Sequence, residues 1–259
     1  MCDCQWTRRE AIGRAIGLAA LTAAVGAATT TSTTQTAGAS AAPARVMPGL
    51  VIQPRDAWGA DLPPKAPSRP ETPRFLLVHH TASSNTYRSA RDVIRSTYAW
   101  QTSAAKGWSD VCYQFFVGRD GDVWEGRAGA LTRPVVADAT GGSQGWAQLV
   151  CLLGDFSAAQ PTTAAYDSLV RVLAWLALRD QLDVRPDATT TFVSRGSQRW
   201  PAGTVVSTPT IAAHRDMSYT ACPGDAFVPR LPDLRTRVAA QVTAWNGVLM
   251  PAVRLGLVQ

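Results

Sequence analysis

The chain contains only three histidines, His79, His80 and His214. His79 closes a short apolar run, Arg74-Phe75-Leu76-Leu77-Val78-His79, and His214 stands eight residues before Cys222. Imidazole, thiolate and carboxylate are the ligands zinc takes, and a catalytic zinc keeps three protein ligands with a further position open to water. Successive side chains of a strand point to opposite faces, so His79 and His80 diverge and at most one of them serves a given site. His214 and Cys222 bracket Arg215-Asp216-Met217-Ser218-Tyr219-Thr220-Ala221, a loop that lets both reach one ion. The spacing is not that of a zinc finger. On spacing alone, two hydrogen-bonded histidines and an inert buried thiol fit better than a metal site does.

Two other motifs have the form of catalytic signatures without the context. Gly141-Gly142-Ser143-Gln144-Gly145 matches the G-x-S-x-G elbow of serine hydrolases, which needs a strand before it and a helix after it. Here a polar loop precedes and an apolar run follows, so a Gly-rich loop is the better reading. His214-Arg215-Asp216 has the form of a kinase catalytic loop, but the Asn required five residues after the aspartate is Ala221.

The elements that must hold these groups alternate along the chain. The run ending at His79 reads as a strand buried on both faces. Tyr87 to Ala104 has helical spacing, with Val93, Ile94, Thr97 and Trp100 on one face and Gly107 closing it. Tyr113 to Val117 and Val123 to Glu125 flank Asp120-Gly121, a hairpin signal. Gln148 to Leu153 is a further buried strand, and Thr162 to Asp180 a helix with Leu169, Val172, Leu173 and Leu176 on one stripe. Thr189–Ser194 and Thr204–Ser207 flank Trp200-Pro201-Ala202-Gly203 as a second hairpin, and a last helix spans about Leu231 to Trp245. Alternating strands and helices predict a single α/β domain with a mixed central sheet flanked by helices. Its expected bounds are residues 74–246, after a Pro/Ala-rich entry segment at 42–73 and before a C-terminal tail at 247–259.

Hydrophobic residues at 46% against 17% charged allow a substantial core, so disorder is not the default. The net charge of +6 is almost all arginine, since Lys65 and Lys106 are the only lysines. A basic protein is drawn to anionic polymers, but no Lys/Arg run, RNA-binding signature or basic helix is present, so nucleic acid is not an expected partner. Residues 1–41 read as a twin-arginine-type signal peptide: Arg8-Arg9, then an apolar stretch from Ala11 to Ala28, then a Thr/Ser/Ala tract containing Ala39-Ser40-Ala41. Export by that route to the outside of the cell or its wall is expected, with no lasting membrane insertion once the leader is removed, and a monomer. Beyond the leader stand Cys112, Cys151 and Cys222; an odd number in an exported chain leaves at least one unpaired or bound to metal.

Val78-His79-His80-Thr81-Ala82, Gly107-Trp108-Ser109-Asp110-Val111-Cys112-Tyr113-Gln114-Phe115, Asp120-Gly121-Asp122-Val123-Trp124-Glu125-Gly126-Arg127, and His214-Arg215-Asp216 with Ala221-Cys222-Pro223-Gly224-Asp225 together resemble, in this order, the peptidoglycan recognition protein and type 2 N-acetylmuramoyl-L-alanine amidase family. The resemblance runs from about Phe75 to Phe227. It implies a zinc-dependent amidase that cuts the bond between muramic acid and L-alanine, with one Zn2+ held by His79, His214 and Cys222. It implies that Tyr113, by itself as easily a core aromatic, stabilises the oxyanion of the tetrahedral intermediate, and that peptidoglycan or its muropeptides are the partner. Phage members carry a lysine two residues before the ligand cysteine; Thr220 stands there instead and is expected to take a catalytic part by hydrogen-bonding the oxyanion or the water, without supplying a charge. Many relatives carry a histidine and an asparagine where this chain has Val136 to Gly145, so peptide specificity does not transfer. Asp216 and Glu125 are candidates for the general base. Many relatives bind peptidoglycan without cutting it and usually lack the cysteine; a non-catalytic recognition module is therefore the alternative, against which Cys222 counts.

Overall fold

A computed structural model describes residues 42–138 and 141–254; the expected leader lies outside the described residues. In chain order the elements are β1 (Ala44–Met47), β2 (Leu50–Gln53), α1 (Asp56–Gly59), β3 (Phe75–His80), α2 (Ala90–Gln101), β4 (Phe115–Val117), β5 (Val123–Glu125), β6 (Ala147–Leu152), α3 (Thr163–Arg179), β7 (Thr189–Val193), β8 (Val205–Pro209), β9 (Ile211–Ala213), α4 (His214–Met217) and, after a 3-10 turn at Val228–Arg230, α5 (Leu231–Arg254). Seven strands form one sheet in the order β1-β2-β5-β4-β6-β3-β9, while β7 and β8 pair separately as an antiparallel hairpin. β3 runs parallel to β6 on one side and to β9 on the other. β4 is parallel to β6 and antiparallel to β5. This is the single α/β domain with a mixed sheet that the alternation of elements predicts.

Every residue of β3 and β6 is buried, because helices cover both faces of the sheet. Leu76 and Val78 of β3 point into a cluster with Leu169, Val172 and Leu173 of α3 and Leu234 and Val238 of α5. Phe75 and Leu77 point the other way, toward Trp58 of α1, Ile94 and Tyr98 of α2, and Phe192 and Val206 of the separate hairpin. Each such side chain taken out of water contributes roughly 2 kcal/mol. The same two-residue period carries into the strand's last residues. His79 meets Tyr113 on the α1–α2 side, and His80 meets Phe156 on the other.

Helix starts follow capping chemistry. Ser89 Oγ accepts from Asp92 N at the start of α2, and Thr162 Oγ1 accepts from Ala165 N at the start of α3. The Ser89 cap starts α2 three residues later than the periodicity suggested, and its buried face is Ile94, Thr97, Tyr98 and Gln101. Residues 42–73, read as an extended entry arm, supply β1, β2 and α1, so the arm is the edge of the sheet itself. The last helix continues through Arg254; one glycine, Gly247, costs only about 1 kcal/mol in a helix and does not stop it. Among the described residues no helix is long and apolar enough to cross a membrane.

Candidate metal centre

Parallel register brings the two candidate ligand histidines side by side. Leu76, Leu77 and Val78 of β3 align with Ile211, Ala212 and Ala213 of β9. The next residues of the two strands, His79 and His214, therefore leave the same edge of the sheet, with ring centroids 4.4 Å apart. His214 is the first residue of α4, and Ala213 N donates to Asp216 Oδ2 at 2.9 Å, which closes the N-terminal end of that turn. The chain then loops back. Arg215 N donates to Cys222 O at 3.1 Å and Cys222 N to Thr220 Oγ1 at 3.2 Å. His80 N donates to Cys222 Sγ at 3.4 Å, and that sulfur lies 3.7 Å from His79 Nδ1. The ligand atoms of His79, His214 and Cys222 all fall within 4.8 Å of one another, and all three residues are buried.

The chemistry of this group fits a metal ion. His79 Nε2 and both ring nitrogens of His214 are buried without a hydrogen-bond partner, a costly arrangement that native structures rarely leave unexplained. Burial, reinforced by the neighbouring His214 and His80, holds the His79 imidazole well below its ordinary range. Burial, with His80 beside it, pulls His214 down to about 4. Both rings are therefore neutral at pH 7, the form in which a ring nitrogen offers a lone pair. Two imidazoles and a thiol within bonding reach of one point are a donor set suited to zinc.

Tyr113 joins the group: its ring centroid is 5.2 Å from that of His79, and its edge packs on Phe116 at 5.4 Å. A buried polar network fixes the segment that carries it. Asp110 Oδ1 accepts from Arg55 Nη2 at 2.7 Å and Val111 N at 2.8 Å, and Oδ2 accepts from Ala128 N at 2.9 Å. Arg127 N donates to Tyr113 O at 2.9 Å, while its guanidinium donates to Asp138 Oδ2 at 2.6 Å and to Val111 O at 3.2 Å. A Cβ at Gly126 would lie 2.4 Å from Tyr113 O, so only glycine lets β5 and this segment approach so closely.

The remaining sequence candidates separate clearly. Thr220 is half-buried, and its hydroxyl accepts from the backbone of Cys222. His80 turns away, its Nδ1 accepting from Phe156 N at 3.1 Å. Glu125 holds structure: its two carboxylate oxygens accept from Leu131 N and Arg55 N. Asp216 is likewise occupied at the start of α4. Ser143 is buried in a turn leading into β6, without the elbow's strand and helix. Arg55, a partner of Asp110, was not singled out in the sequence, and only a buried arginine's need for a carboxylate would have drawn attention to it.

A family model described as N-acetylmuramoyl-L-alanine amidase matches residues 69–225. Human N-acetylmuramoyl-L-alanine amidase is 32% identical over 183 residues, covering 68% of this chain and 27% of that protein. The chain thus spans about a quarter of that relative's length. Mouse peptidoglycan recognition protein 1 is 32% identical over 181 residues, covering 67% of this chain and 82% of that protein. Among solved structures, human PGRP-IBETAC in complex with glycosamyl muramyl pentapeptide is similar with a TM-score of 0.50 at 21% identity, covering 68% of this chain and 90% of that one.

Proposed function

Because the chain belongs to the N-acetylmuramoyl-L-alanine amidase family, we propose that it is a zinc-dependent amidase that hydrolyses the lactyl amide between muramic acid and L-alanine in peptidoglycan. The observation that carries this reading is the buried His79, His214 and Cys222 group, with its unpartnered ring nitrogens and adjacent sulfur. Zinc held there would supply Lewis acidity, polarising a carbonyl and making water nucleophilic near neutral pH. The chain's own residues provide the rest. The depressed basicity of His79 and His214 keeps both rings uncharged at neutral pH, each with one ring nitrogen free to act as a ligand. Tyr113, on the His79 side of the sheet, offers a hydroxyl to the amide oxygen as it becomes negative; one such donor is worth two to three orders of magnitude in rate. Thr220 keeps Cys222 in place through the backbone and adds no charge, in contrast to a lysine at that position.

The human relative bound to a glycosamyl muramyl pentapeptide supports a muropeptide as the ligand, and the twin arginines with the apolar stretch behind them support export and action outside the cell. The test is digestion of purified peptidoglycan by the protein, with and without a chelator. Chelator-sensitive appearance of L-alanine amino termini, without new reducing sugar ends, is the expected outcome. Binding to peptidoglycan by zinc-loaded protein, with no new amino terminus, would replace this reading with that of a recognition module.

A further inference from the structure

The β7–β8 hairpin stands apart from the main sheet, and nothing above gives its connecting loop a task. That loop donates hydrogen bonds to three consecutive carbonyls of α4. Arg199 Nη1 donates to Arg215 O. Trp200 Nε1 donates to Asp216 O at 3.0 Å, and Ser197 Oγ to Met217 O at 3.2 Å. The last carbonyls of any helix lack partners inside it. In a helix four residues long that is every carbonyl, and the first, His214 O, accepts from Ser218 N. The hairpin loop thus completes a helix whose first residue is His214 and whose second, Arg215, holds the backbone of Cys222.

The donors are themselves fixed in place. Trp200 N donates to Ser197 Oγ at 2.9 Å, and Trp200 O accepts from Ser194 Oγ at 2.9 Å and Ser197 N at 2.8 Å. From the other side the Gly141 backbone closes on the same corner. A Cβ there would lie 2.5 Å from Met217 O, and its φ of +52° suits glycine. Arg195 N ties the hairpin to that loop by donating to Gly142 O at 2.7 Å.

We infer that the loop joining β7 and β8 is a brace for the metal centre, in which Ser197, Arg199 and Trp200 are positioning residues that set His214 and Cys222 for zinc. The inference rests on the metal reading above. Groups that orient metal ligands from outside the coordination sphere typically change metal affinity by 10–100-fold, so the brace is legible in binding without any turnover.

The experiment measures zinc affinity of the purified full chain by competition with a chromophoric chelator, alongside the thermal midpoint of the metal-free protein. Trp200→Phe keeps the ring and removes one donor; Ser197→Ala removes the hydroxyl. Each is expected to weaken zinc binding by about tenfold, and Ser197→Thr, which keeps a hydroxyl, to restore it. Val205→Thr, at an exposed position of the same hairpin, is expected to leave the affinity unchanged. Should Trp200→Phe not fold, Ser197→Ala and Ser197→Thr decide the matter. Unchanged affinity in folded Ser197→Ala and Trp200→Phe overturns the brace, and so does an equal loss in Val205→Thr, because affinity would then follow hairpin stability alone. A wild-type chain that takes up no zinc overturns the metal reading itself and the brace with it.

Discussion

Replacing Asp110 tests whether the network behind Tyr113 is as consequential as its geometry indicates. The Asp110 and Arg55 side chains are 2% and 8% exposed, and the carboxylate also accepts from Val111 N and Ala128 N. Asp110→Ala would leave a buried guanidinium without its counter-charge and two backbone N–H groups without acceptors. Breaking a buried pair in this way costs about 3–5 kcal/mol, a large share of the 5–15 kcal/mol by which a typical domain is stable. Asp110→Asn keeps the shape but turns an amide NH2 toward one pair of donors, so an intermediate loss of about 2 kcal/mol is expected. Urea unfolding at pH 7 followed by tryptophan fluorescence measures both. A loss below about 1 kcal/mol for Asp110→Ala would refute the reasoning, since the pair would then be screened or replaced by water.

Other outcomes follow from the same geometry. Tyr113→Phe keeps the packing on His79 and Phe116 and is expected to lower turnover of peptidoglycan by 10²–10³ with zinc affinity unchanged; turnover within threefold of wild type would remove Tyr113 from the chemistry. Gly126→Ala puts a methyl against Tyr113 O and Phe116, so a loss of about 1–3 kcal/mol and slower hydrolysis should appear together in melting and activity assays. The metal-free protein should be most stable near pH 6.5. Burial lowers His80 and His214 to about 4, with His79 also lowered, so below their unfolded values the unfolded chain binds protons that the native state refuses, and stability falls as pH falls. Glu71 acts with the opposite sign, its carboxyl pushed up to about 8 chiefly by burial, so stability also declines from pH 6.5 toward 8. Urea midpoints from pH 4 to 8 that show no maximum would contradict this balance.

Much of the site was legible in the sequence because its signals are categorical. Histidine is scarce in this chain, and the strand period alone separates His79 from His80, as their partners Tyr113 and Phe156 show. The spacing of His214 and Cys222 by itself favours a pair of satisfied histidines over a metal site; what spacing could not give is the parallel register that sets His214 beside His79. Strands β1, β2 and β9 went unread for a different reason. They have three or four residues each, too few for a period of two to stand out among prolines and alanines, and their stability comes from neighbours already in the sheet. Arg55 and Ser197 carry no signal in the sequence, and Trp200 reads there only as part of a hairpin turn, because their roles lie in hydrogen bonds to other segments of the chain.

The candidate metal group joins positions 143 residues apart, and this separation governs when the site can exist. Contacts between distant parts of a chain form late, since the entropy of closing a long loop must be overcome before they return any free energy. In the folded chain His79 and Cys222 meet at the end of β3, a strand held between β6 and β9. A partly folded chain would therefore have no site to load, and if the group binds zinc as proposed, uptake of the ion would report that the tertiary structure is finished. Once loaded, the ion would stabilise the native state by mass action, because the unfolded chain offers it no site: about 4 kcal/mol when free zinc stands a thousandfold above its dissociation constant. Chelation and thermal unfolding then become two measurements of one coupled equilibrium.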